Sequence, residues 1–150
     1  MIKSILIILT LAIGIAGAFA GFSMLSIGLM TVALSMMHAQ DESELILLPG
    51  YDIDHRVRFT IRVLIASVIA FVVEEGNVIN ALALTVYEGC VFWISFDIWL
   101  NLYRDKKWNY ISTYYQTAWL DRIFKGKWKM WMAVKAVLFI GSILVYLWIS

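Results

Sequence analysis

Residues 4–37 contain no Asp, Glu, Lys, Arg or His, an unbroken run of 34 uncharged positions. About 20 such residues suffice for a helix to cross the hydrocarbon core of a bilayer. The run therefore points to a lipid solvent before any other feature is weighed. As one straight helix it would measure about 51 Å at roughly 1.5 Å per residue, well beyond a hydrocarbon core of about 30 Å. Such a helix must tilt, protrude or fold back. We expect a single long helix; the alternative is a hairpin folded near Gly21, which would add a crossing and put the N-terminus in the cytoplasm. The opening "MIKSILIILTLAIGIAGAFAG" has the basic start, apolar core and Ala18-Phe19-Ala20 site of a signal peptide. The apolar run continues for sixteen residues beyond it, which speaks against cleavage.

Composition agrees. Hydrophobic residues make up 62% and charged residues 15%, with a mean hydropathy of +0.81, against about 45–50% apolar usage in soluble domains. A 150-residue soluble domain could not bury this much apolar surface. The expected fold is all-α: a polytopic transmembrane protein with spans at about 4–37, 56–74, 77–99 and 130–149. The formal net charge of +1 argues against a nucleic-acid partner. The single cysteine, Cys90, lies in an apolar run and reads as a small buried hydrophobe. No flexible linker, repeat or low-complexity tract divides the chain, so residues 1–150 read as one membrane domain.

Lysine and arginine accumulate on the cytoplasmic side of membrane proteins. Ten of the twelve lie either at Arg56, Arg58 and Arg62 or at Arg104, Lys106, Lys107, Arg122, Lys125, Lys127 and Lys129. Four spans place both groups on one face, cytoplasmic, of an inner membrane, with both termini outside. The turn Glu74-Glu75-Gly76-Asn77 is then an acidic, water-facing hairpin on the outer side.

Two surfaces suggest packing. Gly14, Gly21, Gly28 and Ser35 recur every seven residues, and Gly17 forms a small-x-x-x-small pair with Gly21. Such stripes let helices approach closely in lipid, either within one chain or at a homo-oligomer seam. In the long loop, Trp108, Ile111, Tyr115, Trp119 and Ile123 fall three and four apart. With the cations around them they predict an amphipathic helix over about 106–125, lying in the inner interface with Trp108, Tyr115 and Trp119 as membrane contacts.

Charges inside the spans are the candidate site. A four-residue turn makes the second and third spans an antiparallel hairpin in which residues at matching depth have numbers summing to about 151. Arg62 therefore lies level with Glu88, near mid-bilayer. Counting from the cytoplasmic side sets Lys135 near Asp97. Unpaired, each charge would be expensive in a bilayer; two pairs, Arg62–Glu88 and Lys135–Asp97, would neutralise all four. Because the charges balance, an assembly clamp that fixes register is preferred over an ion or proton path.

Catalytic chemistry is not expected. His38, Asp41, Glu42, Asp52, Asp54 and His55 match no metal-ligand spacing and read as a solvated acidic loop, with Asp52 or Asp54 capping the second span. No phosphate-binding loop, nucleophile–base arrangement or cofactor motif is present in the sequence.

The segments "HRVRFTIRVLIA", "FDIWLNLYRDKKWNYI" and "AWLDRIF" resemble stretches of small uncharacterised integral membrane proteins of Bacteroidetes-type bacteria and their phages. The resemblance covers about half the chain. It implies an accessory or phage membrane protein and carries no activity or site. The function expected from the sequence is non-enzymatic: assembly or membrane remodelling in a homo-oligomer or larger complex, in contact with the lipid bilayer. The alternatives are a small ion or proton channel centred on Arg62 and Glu88, or a holin-like pore.

Overall fold

The computed structural model describes residues 2–19, 23–46, 55–110, 123–124 and 126–150. Among these residues five helices follow in order, α1 (Ile2–Phe19), α2 (Ser23–Leu45), α3 (His55–Val73), α4 (Val78–Tyr103) and α5 (Trp128–Ile149). No strand occurs among the described residues.

The long uncharged run is two helices, not one. Gly17 lies against Ser26, and Gly14 against Ser26 and Met30. At the other end Ser4, Ile7 and Leu11 share a groove with Glu44, Gln40 and Met37. These contacts make α1 and α2 an antiparallel pair. A 51 Å rod would have left much of its length without neighbours, whereas glycine and serine at facing positions let the two arms pack backbone to backbone. The seven-residue stripe is accordingly split. Gly14 and Gly17 serve the α1–α2 contact, while Gly28 lies on α2 against the hydroxyl of Tyr87 in α4. Gly21 falls outside the described residues. The stripe is thus used for packing within the chain.

Helix α2 also runs further than expected, through the segment "HAQDESEL". Ala, Gln, Glu and Leu are good helix formers, the Gln40 amide donates to Glu44 Oε1 one turn on (3.3 Å), and the Ser43 hydroxyl bonds back to Gln40 O (2.7 Å). His38, Asp41 and Glu42 are therefore helical residues, not loop residues. Asp52 and Asp54 lie outside the described residues.

The α3–α4 turn is closed by local chemistry. Glu75 and Gly76 both take positive φ (51° and 84°). Gly76 N–H donates back to Phe71 O (3.0 Å) and Glu75 N–H to Val72 O (3.2 Å), the paired bonds that satisfy a helix C-terminus. Asn77 then caps α4, its Oδ1 accepting from Ile79 N and Asn80 N. Helix α4 ends the same way, with Asp105 at φ 54° and Lys106 N–H donating to Asn101 O (2.8 Å).

Helix α4 is the centre of the bundle, packed on α2, α3 and α5, with α1 outside on α2. Successive helices alternate in direction. The N-terminus and the α4–α5 loop share one end of the bundle, and the C-terminus lies at the other. The start of α1 and the end of α5 thus lie at opposite ends of the bundle.

Large apolar side chains cover the outside of the bundle, while small and polar ones share the interior with Leu84, Tyr87 and Trp131. Ile8, Leu25, Phe59, Val72, Ile79, Val137 and Trp148 are exposed. The interior holds Ser26, Thr31, Ser35, Ser43, Ser95 and Ser142, with Ala33, Ala39, Ala70, Ala81 and Ala83. Several of these hydroxyls bond to their own helix, as Ser95 does to Val91 O (2.6 Å) and Ser142 to Phe139 O (2.7 Å), so they are satisfied while letting helices approach. Helices α4 and α5 are long and apolar enough to cross a membrane. The apolar part of α1, Ser4–Gly17, is shorter; α2 ends in acidic residues, and α3 carries Arg56, Arg58 and Arg62 in its first half.

Candidate functional site

Three helices meet at the loop-side end of the bundle to build a cluster of charge. Asp41 and Glu42 come from the last turns of α2. Arg58 and Arg62, one turn apart on α3, face them. Arg62 Nη2 donates to Glu42 Oε1, and Arg58 Nη1 lies 2.7 Å from Asp41 Oδ2 and 3.9 Å from Glu42 Oε1. The Arg62 guanidinium rests on two rings of α4, 5.1 Å from the centroid of Phe92 and 4.8 Å from that of Phe96. Phe92 and Phe96 are themselves stacked at 5.5 Å, and His38 meets Phe92 edge-on at 6.0 Å. Cation–π contact and a carboxylate together replace the water that a buried guanidinium would otherwise lose.

Arg62 is therefore paired with Glu42, not with Glu88. Depth counting compares Cα positions, but each Cα–Cβ bond tilts toward the N-terminus of its own helix. On antiparallel neighbours, two level side chains lean in opposite directions. Arg62 leans toward the start of α3, where α4 presents Phe92 and Phe96 and α2 presents Glu42. Glu88 leans the other way.

Glu88 is left alone. Its side chain is 3% exposed, and Oε2 has no hydrogen-bond partner among the described residues. None of the ion pairs of the described residues includes it. Leu84, Tyr87 and Val91, on the same part of α4, are buried with it. A carboxylate so placed costs several kcal/mol if it is charged.

The second cluster joins α4 to α5. Lys135 Nζ donates to Asp97 Oδ2 and also lies 3.3 Å from Trp93 O. It sits 4.7 Å from the ring centroids of both Trp93 and Trp131, and Trp131 Nε1 donates to Asp97 Oδ2 at 3.4 Å. An aromatic box thus holds an ammonium that is closed off from solvent. At the far end Tyr146 Oη donates to Glu74 Oε1 (2.6 Å). Glu74 is thus engaged in tying α5 to the α3–α4 turn, leaving Glu75 as the exposed carboxylate there.

The interfacial helix expected from residue 106 does not begin there. Residues 106–110 are not helical and include a turn at Trp108 and Asn109, held by the Asn101 amide, which donates to Trp108 O (3.1 Å) and Tyr110 O (2.9 Å). Trp108 is half-exposed and meets Trp128 edge-on at 6.0 Å. Tyr115 and Trp119 lie outside the described residues. No group of three or more His, Cys, Asp or Glu among the described residues could hold a metal. The residues that sequence reasoning missed are Glu42, His38, Phe92 and Phe96. The two arginines at a one-turn spacing were the available signal, since two cations on one helix face require acids opposite.

Comparison with protein-family models, with curated proteins and with solved structures gave no match to this chain.

Proposed function

We propose that this chain is a five-helix membrane protein that conducts protons through its bundle, with Glu88 as the group that takes them up and releases them. The observation that carries the reading is the solitary carboxylate: a buried acid without a counter-ion is stable when protonated and becomes charged only by handing its proton on. Its burial also argues against a role at a subunit interface, since a partner's cation could not reach a side chain that is 3% exposed. The apolar outer surface and the small, polar interior support a lipid surround. With the N-terminus cytoplasmic, every Lys and Arg among the described residues but the buried Lys135 and the Glu42-paired Arg62 lies at or beyond the loop-side end of a helix, the distribution the positive-inside bias favours.

Assembly or remodelling in an oligomer remains a second reading, with the Lys135–Asp97 pair as its support. It does not account for Glu88. The test is proton flux into liposomes containing purified protein, driven by a potassium gradient with valinomycin and read by an enclosed pH dye. Glu88→Gln should slow the flux by roughly a hundredfold, the scale of a positioned proton-transfer group. Equal flux in the Gln variant would sink the reading, and release of a large trapped dye by the wild type would favour a holin-like pore.

A further inference from the structure

Arg62 Nε–H, a donor, and Glu88 Oε2, an acceptor, are both buried and without a hydrogen-bond partner among the described residues. They are chemically complementary. Counted from the α3–α4 turn, their positions match in depth on antiparallel helices, and Phe92, which carries the guanidinium, is four residues beyond Glu88 on the same face of α4. The Arg62 head group, shared between Phe92 and Phe96, therefore rests between one and two helical turns, roughly 6–12 Å, along α4 from the position of Glu88.

Glu42 has a substitute ready. Arg58 already lies 3.9 Å from the Glu42 oxygen that Arg62 holds, while the side chain of Asp41, the carboxylate nearer to Arg58, is 57% exposed. If Arg62 leaves, Arg58 can close on Glu42 and Asp41 can be solvated. No buried charge is then left without an opposite. Three other titratable groups lie near this part of α4 and are placed elsewhere: Tyr87 has its hydroxyl against Gly28 of α2, His38 of α2 is edge-on to Phe92, and Lys135 of α5 is held by Asp97.

We infer that Arg62 is a mobile counter-charge that exchanges between Glu42 and Glu88 as Glu88 loses and regains its proton. With Glu88 protonated, Arg62 pairs with Glu42, the arrangement seen here. When the proton departs to water, the new carboxylate draws the guanidinium across Phe92, and Arg58 takes over Glu42. Arg62 keeps all its protons throughout; only the proton of Glu88 leaves the bundle. Arg62 is thus a positioning residue for the proton site, and the inference rests on Glu88 being that site.

Solid-state NMR of the full chain in lipid bilayers, with labelled arginine and glutamate, tests this. The Arg62 Cζ contact, assigned by its absence in Arg62→Lys, should fall on the Glu42 carboxyl in acidic buffer. In alkaline buffer it should move to Glu88, with Arg58 replacing it on Glu42. Glu88→Gln should keep the Arg62–Glu42 contact in both buffers, and Arg58→Gln should hinder the exchange. An Arg62–Glu42 contact that persists in alkaline buffer in the wild type would overturn the inference, as would an unchanged pH response in Glu88→Gln. Loss of the Lys135–Asp97 contact in the same alkaline spectrum would also overturn it, because the bundle would be opening rather than exchanging partners. Glu88-dependent flux with a fixed Arg62 would refute the exchange alone; exchange without flux would refute the proton path alone.

Discussion

Lys135 and Asp97 share one ion pair but not one environment: the lysine side chain is 0% exposed, the aspartate 37%. The pair should therefore respond unequally to the loss of either member. Asp97→Asn strands an ammonium between two indoles, at a cost of about 3–5 kcal/mol when a fully buried charge loses its partner. Lys135→Met leaves a carboxylate that already reaches the surface, and should cost clearly less. Thermal or denaturant unfolding in lipid nanodiscs would measure both. Equal losses would mean that the aspartate is as enclosed as the lysine.

Stability and transport should separate at Glu88. Replacing an unpartnered buried carboxylate by its neutral isostere should leave stability unchanged or raise it, even though flux is lost. Arg62→Gln should be destabilising, by about 1–3 kcal/mol, since Glu42 loses its nearest cation but has Arg58 within reach. A double-mutant cycle should give clear coupling between Arg62 and Glu42, and little between Arg62 and Glu88 in acidic buffer.

The glycines should rank by what a methyl group would meet. At Gly14 it would come within 3.1–3.2 Å of backbone atoms of α2, and at Gly28 it would collide with the Tyr87 hydroxyl. Backbone and a packed phenol yield little, so alanine at either site should cost about 1–3 kcal/mol, the range for overpacking. At Gly17 the obstacle is the Ser26 hydroxyl (2.6 Å), which can rotate, and the loss should be smaller. Gly141 has nothing within 4 Å; alanine there should be neutral or stabilising by about 0.5–1 kcal/mol. Equal melting temperatures for all four variants would remove the close α1–α2 and α2–α4 contacts from the account.

Cysteines placed singly at Ser4, Asn109 and Ser150, in a Cys90→Ser background, should report two compartments. Ser4 and Asn109 should react with an impermeant reagent only from the cytoplasmic side, and Ser150 only from outside. Reaction of Ser4 and Ser150 from the same side would restore an even number of crossings.

Asn101 is buried at the end of α4 and holds two loop carbonyls. Asn101→Ala should release residues 106–110 without unfolding the bundle, seen as faster tryptic cleavage after Lys106 and Lys107. An unchanged cleavage rate would mean that the α4 cap alone orders the loop.

Which parts could be read from the sequence follows from what carries a local signal. The α3–α4 turn was legible because Glu-Glu-Gly-Asn contains its own stop and start chemistry. The nearness of Lys135 to Asp97 was legible because both helices are anchored by the same loop. The break between α1 and α2 was not: residues 4–37 carry no charge or proline, and their glycines suit either a tilted rod or a hairpin. Glu42 was hidden by its acidic neighbours, which read as loop although their helix propensity is good. The Arg62–Glu88 expectation failed on direction rather than height, because counting residues ignores the lean of side chains along each axis.

The described helices are odd in number and alternate in direction, and under the proposed membrane topology this has a genetic consequence. If the gene were duplicated in tandem with a short connector, the second copy would start where the first one stops, and would run upside down relative to it. Its basic loop would emerge on the wrong face. Any assembly of like-oriented copies must therefore be made from separate polypeptides, whereas a fused pair would be an inverted repeat.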